Sequence, residues 1–229
     1  MNVITNVVTK LSQQARNKRG LIFRNAFHLG PDTKILDLGS ENGRNINLIL
    51  QGTQIKPENV YIADIEPEAV NAGSRKFGFN PVVVGESEEL PFEDEFFDIV
   101  FCSSVIEHVT IPKDEVWSLY SGRQFKMKSL ARQKEFAHEI RRLGKQYFVQ
   151  TPYKHFPVES HSWLPFVAWL PRRFLIPVLR FTNLFWIKKT SPDWYLLSKS
   201  EMHELFDDAE VIEEKKFRLT KSIMAVRAS

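Results

Sequence analysis

Glu159 and His161 stand two residues apart, and His108 lies well before them in the chain. These are the side chains best suited to moving a proton near neutral pH. An imidazole titrates in that range, and a carboxylate is its usual companion in acid–base work. Residues two apart in an extended segment face the same side, so Glu159 and His161 form a candidate pair. The same two residues also suit a hydrogen-bonded hinge, and His108 also suits a histidine that caps a helix.

A second group of residues suits binding rather than proton transfer. Gly39 and Gly43 bracket a tight turn after the apolar run Ile35-Leu36-Asp37-Leu38. Glycine takes backbone angles closed to other residues and lets a ligand approach the main chain. A helix starting after Gly43 would offer free N–H groups to an anion. Asp64 follows Gly39 by about 25 residues and ends a second apolar run. An acidic residue so placed can accept both hydroxyls of a ribose, or it can cap the next helix. Glu86-Ser87-Glu88-Glu89 follows a third apolar run. One of its carboxylates can take the exocyclic amine of an adenine, or the stretch is an exposed acidic loop.

The elements that must position these groups follow from the pattern. Short apolar runs near 34–38, 59–64, 81–85, 96–103 and 146–151 read as strands. The fourth is apolar and aromatic but for Asp98 near its start and Ser103 at its end, as a central parallel strand requires. Residues 1–30 hold an amphipathic helix whose basic residues form a solvated face, and 112–143 hold one or two basic helices. Ser198 and Glu201 have capping-box spacing, which places a helix over 198–206. The runs 211–217 and 222–226 close the chain as a hairpin.

Residues 153–195 differ from the rest. Tryptophan, phenylalanine and proline crowd together, and 160–190 carries arginine and lysine but no acid. Charges and prolines inside the stretch argue against a membrane span. Two readings remain: a lid over a bulky substrate, or an interfacial segment with its basic residues toward head groups.

Composition narrows the classes. The chain has 229 residues, 43% of them apolar, and a net charge of +3. That charge is too small to argue nucleic-acid binding. Cys102 is the single cysteine, so there is no intrachain disulfide and no thiolate zinc cluster, and we expect no metal site. The start of the sequence has no signal-peptide profile. The expected location is cytoplasmic, with peripheral membrane contact through 160–190 as an open question.

Taken together, Ile35–Gly43, Ala63–Ala69, Gly85–Phe92 with Phe97–Val100, and Ser103–His108 resemble the motifs of class I S-adenosylmethionine-dependent methyltransferases of the small-molecule branch. The resemblance covers roughly 20–152 and 198–229. It implies an α/β, Rossmann-like sheet of seven strands, order 3-2-1-4-5-7-6, with the last strand antiparallel and helices on both faces. It implies one domain over 1–229, with 153–195 as a lid insertion. It further implies that Asp37, Gly39, Ser40 and Gly43 shape the pocket for the methionine part of S-adenosylmethionine. Asp64 would hold the ribose, Ile65 would pack on the adenine, and Glu86 and Ser87 would address its edge. Ser103 would lie near the methionine end. One departure is Glu41, which replaces the glycine usual at the middle of the first motif, so its side chain must point away from the cofactor. The expected acceptor is a small or lipid-linked molecule, with His108, Glu159 and His161 as candidate proton acceptors. Two rivals stand beside this reading. One is a nucleoside-binding protein of the same fold without turnover. The other is a nicotinamide enzyme, whose glycine pattern Glu41 and Arg44 break.

Overall fold

The computed structural model describes residues 16–85 and 89–228. Helix α1 covers 16–26. There follow β1 (Ile35–Leu38), α2 (Arg44–Leu50), β2 (Val60–Asp64), α3 (Pro67–Phe77), β3 (Asn80–Val83) and β4 (Phe97–Ser103). Then come α4 (Gly122–Leu143), β5 (Gly144–Pro152), α5 (Arg172–Thr182), α6 (Lys199–Leu205), β6 (Glu210–Lys216) and β7 (Leu219–Arg227). The strands form one seven-stranded sheet in the order β3-β2-β1-β4-β5-β7-β6, as expected. β1 pairs in parallel with β2 and β4, and β2 with β3. β6 and β7 pair antiparallel as the terminal hairpin.

The chain divides into two compact units. Among the described residues, the first takes 16–85, 89–102, 143–148 and 228; the second takes 103–142 and 149–227. In the first, every residue of β1 is buried. A strand covered on both faces reads as a continuous apolar run, and this is why its period-two signal is missing. Phe23 of α1 is fully buried. Its ring meets Phe101 edge-on at 5.3 Å and Phe148 at 5.7 Å, so α1 is anchored on the centre of the sheet.

In the second unit, α5 buries Arg172, Leu175, Ile176 and Leu179. That spacing is one helical face, and it packs with Val167, Trp194 and Leu196. Arg172 differs from its neighbours in the basic run. Its guanidinium donates to the carbonyls of Leu119, Pro192 and Val116 at 2.6–2.8 Å and lies over the Phe125 ring. It holds three loop carbonyls together and is not a surface charge. α6 carries the expected capping box between Ser198 and Glu201. The basic segment 112–143 resolves into turns followed by one helix, α4. Among the described residues no helix is long and apolar enough to cross a membrane.

Candidate functional site

The expected site residues fall into two groups. The first lies where β1 and β2 end. Gly39 has φ 76° and Gly43 has φ 67°, both in the left-handed region that glycine tolerates. The N–H groups of Gly39 and Ser40 both donate to the Ala63 carbonyl, at 2.8 and 3.0 Å. This stitches the turn to the end of β2 and buries Ser40. Asp64 closes the arrangement. Its Oδ2 accepts from the Glu41 N–H at 2.7 Å, and its Oδ1 from the Glu66 N–H at 3.2 Å. Asp64 is therefore not the cap of α3, whose N-cap is Glu66. It is tied to the glycine turn, and each of its oxygens retains room for a further donor.

Two glycines allow the turn to sit so close. A Cβ on Gly43 would come within 2.9 Å of the Ile62 side chain. A Cβ on Gly73, inside α3, would meet the Asn42 carbonyl oxygen at 2.5 Å. Gly73 is thus a hidden part of the turn, and the sequence patterns did not point to it. α2 has only seven residues, and the Asn42 side chain already accepts the Arg44 N–H at 3.2 Å. Its end is too short and too occupied to act as the expected anion site.

Asp37 lies on β1 and is 3% exposed. Its Oδ2 has no partner among the described residues. Burial, and after it the charge of Asp64, push its carboxyl well above the usual range. Ile65 is 40% exposed, an apolar side chain beside the turn with little cover. Glu41 takes φ 53° and its side chain is exposed. Glu86 and Ser87 lie outside the described residues. The chain leads toward them from Val84, whose N–H donates to the Asp64 carbonyl at 3.1 Å.

The second group belongs to the second unit. Ser103 donates to Gln150 Oε1 at 2.7 Å, and Ser104 donates to the same oxygen at 3.2 Å. Beyond them Ile106–His108 forms a single 3-10 turn. It presents His108 outward and buries Glu107 completely. The rings of His108 and His161 meet edge-on, 4.6 Å apart. Each is held at Nδ1 by a carboxylate: His108 by Asp193 at 3.2 Å, and His161 by Glu159 at 2.6 Å. His161 Nε2 lies 3.7 Å from Glu107 Oε1, while Glu107 Oε2 accepts from Thr151 at 3.0 Å. Trp194 stacks on His161 at 5.9 Å.

Glu159 is 1% exposed. Its two oxygens accept from the His161 ring and N–H and from the Ser162 N–H and hydroxyl, at 2.6–2.7 Å. Burial would raise its pKa, but these donors outweigh burial and lower it. Glu159 is spent on holding the 159–162 turn and the His161 ring. Burial alone would also favour a neutral His161. The carboxylates of Glu107 and Glu159 overcome that and push it up to about 9. So His108, Glu159 and His161 do meet in space, joined by Glu107 and Asp193, which sequence reasoning did not single out. Glu107 was readable as a carboxylate between apolar residues next to a histidine. Asp193 is the acid that ends the acid-free run.

Residues 36–120 match the family described as the methyltransferase domain. Among curated proteins, none matches the chain by sequence. Similar solved structures include magnesium protoporphyrin IX methyltransferase (ChlM) from Synechocystis PCC 6803 with bound SAH. It is 15% identical, the match covers 99% of this chain and 88% of that one, and the TM-score is 0.52. A Haloferax volcanii protein solved in complex with the Trm112 methyltransferase activator is 16% identical over 92% of this chain and 87% of that one, with a TM-score of 0.53. A candidate O-methyltransferase from Nostoc punctiforme PCC 73102 is 13% identical over 95% of this chain and 58% of that one, with a TM-score of 0.56. At such identities the likeness is one of fold. Residues 36–120 thus carry the methyltransferase-domain match, and the sheet has the order that the resemblance to class I S-adenosylmethionine-dependent methyltransferases implies.

Proposed function

We propose that this chain transfers the methyl group of S-adenosylmethionine to a small amphiphilic or lipid-linked acceptor at the cytoplasmic face of a membrane. The observation that carries the cofactor side is the 2.7 Å bond from the Glu41 N–H to Asp64, which draws the β2 carboxylate onto the glycine turn. The residues fit the cofactor. Asp64 has acceptor capacity left for ribose hydroxyls, and the orphaned, buried Asp37 oxygen suits a donor or cationic group of the methionine part. Gly39, Ser40 and Gly43 supply the close main chain, and Ile65 an uncovered apolar face for the adenine. When bound, the cofactor supplies a methyl carbon already activated by sulfonium. The protein has to align the acceptor and exclude water.

The acceptor side rests on the surface of 166–187. Phe181, Leu184, Phe185 and Ile187 are 55–79% exposed, and Arg173 and Lys189 of the same acid-free segment are exposed too. Uncovered aromatics and cations in a segment without acids suit an anionic lipid interface.

Calorimetric titration of the full chain tests the cofactor. We expect one S-adenosylmethionine per chain, with affinity at least about tenfold lower in Asp64→Ala, about 1.4 kcal/mol. No binding by the wild type would end the proposal. Co-sedimentation with phosphatidylglycerol vesicles tests the surface. The wild type should pellet, and a variant with Phe181, Leu184 and Phe185 all changed to Ser should not. A wild type that stays in the supernatant would remove the membrane from the reading.

A further inference from the structure

We propose that Glu107, His108 and His161 form a binding site for one divalent transition-metal ion of the zinc type. The ligating atoms of the three residues all lie within 4.8 Å of one another. His161 Nε2 and Glu107 Oε1 are 3.7 Å apart. That separation is too long for a hydrogen bond. It is close to the roughly 3.4 Å edge of a tetrahedron whose ligands stand about 2.0–2.1 Å from a zinc ion.

Three further observations point to a cation. First, Glu107 is fully buried, and its Oε1 has no hydrogen-bond partner among the described residues. A buried carboxylate oxygen left so is costly; an ion between it and His161 Nε2 satisfies both atoms. Second, both histidines are held at Nδ1, by Asp193 and by Glu159, which leaves Nε2 of each as the ligand atom. A carboxylate on the far nitrogen is the arrangement that orients and strengthens a metal-binding imidazole. Here it occurs twice around one point. Third, Glu159 is locked by Ser162 as well, and Trp194 backs the His161 ring. Glu107 and His161 are pre-set, and the half-exposed His108 is the ligand with room to move.

Two nitrogens and one oxygen favour zinc, cobalt or iron over magnesium or calcium, which take oxygen ligands. Three protein ligands leave at least one position open, as catalytic and not structural sites do. A water or hydroxyl bound at that position is acidified by the ion and releases its proton to the solvent.

The test uses the full chain, stripped with a chelator, and titration with cobalt(II), followed by its visible absorption. We expect one equivalent, displaced by zinc(II). Glu107→Gln keeps the shape and an acceptor for Thr151, and His161→Gln keeps a polar side chain. Each should lose stoichiometric binding while retaining the wild-type circular dichroism. Asp193→Asn leaves all three ligands in place and should weaken binding about 10- to 100-fold. Failure of the wild type to bind one equivalent would overturn the proposal. So would undiminished binding in a folded Glu107→Gln. Titration with S-adenosylmethionine in parallel separates the two readings, because Glu107→Gln should bind it as the wild type does.

Discussion

The glycine turn and the histidine cluster are built by opposite means. In the turn, main-chain groups do most of the work. Gly39, Ser40 and Glu41 are fixed by backbone donors reaching Ala63 and Asp64, and the side chains matter mainly where they are absent. In the cluster, the main chain recedes. Glu107, the Glu159–His161 pair and Asp193 come from three separate stretches, and their side chains hold one another. A site made of backbone should fail when a side chain is added. A site made of side chains should fail when one is removed, and by more, since a deleted carboxylate leaves several buried donors without an acceptor.

The largest effect should therefore come from Glu159→Ala. Four donors lose their acceptor in a place largely closed to water, and His161 loses the nearer of its two carboxylates. Breaking a buried pair of this kind costs about 3–5 kcal/mol. Urea unfolding of wild type and variant measures it. A loss under about 1 kcal/mol would mean that water or a rotated turn replaces Glu159, and the contrast would lose its stronger half.

Glu201 extends the same idea to pH. It caps α6 through Ser198, accepts from Tyr195 at 2.6 Å and faces Lys154 and Lys126. Burial would raise its pKa, but these donors win and bring it down to about 2. A carboxyl depressed on folding contributes stability that is fully present above its unfolded pKa near 4.3. That stability is lost as pH falls through the folded value. The gap in urea midpoint between wild type and Glu201→Gln should hold from pH 7 to 5 and shrink steadily toward pH 2. A constant gap across that range would show that the capping geometry, not the charge, carries the effect.

Next in size is Gly73→Ala, which tests the backbone-built half. In an exposed helix the change would stabilise by about 0.8–1 kcal/mol. Here the new Cβ meets the Asn42 carbonyl at 2.5 Å, and the main chain cannot swing aside as a long side chain would. Overpacking of this kind costs about 1–3 kcal/mol, so the sign reverses. The variant should unfold at lower urea and bind S-adenosylmethionine more weakly. A stabilised variant would show that α3 can retreat from the turn.

The same contrast explains what could be read from the sequence. The turn was legible because backbone constraints leave marks at fixed places: Gly39, Gly43 and an acid at the end of the next strand. The sheet order came with those marks through the motifs they resemble, and the capping box at Ser198 is local in the chain. Gly73 was not legible. Its reason for being glycine is the Asn42 carbonyl, 31 residues away in sequence. The cluster was half legible. Glu159 and His161 are neighbours in the chain, so their pairing showed, although spacing could not tell that Glu159 is saturated by Ser162. Glu107 and Asp193 join only through folding. Arg172 misled for the same reason: in sequence it is one cation among several, in space it closes three carbonyls.

The smallest effect should come from Glu41→Gly, and its sign is a close test of the comparison. Glu41 sits at φ 53°, a conformation that costs a residue with a Cβ about 1–2 kcal/mol. Its side chain is exposed, and its N–H donates to Asp64, a bond that glycine keeps. Against the relief of strain stands the greater freedom glycine gives the unfolded chain, about 0.4–1 kcal/mol. Strain relief is the larger, so the variant should gain about 0.5 kcal/mol, a small upward step in urea midpoint at unchanged slope. Calorimetry with S-adenosylmethionine sharpens the result. Removing an exposed carboxylate beside the turn should leave affinity within about twofold if the side chain points away from the cofactor. A gain of tenfold or more would mean that Glu41 crowds the site, so that the turn, too, is governed by a side chain.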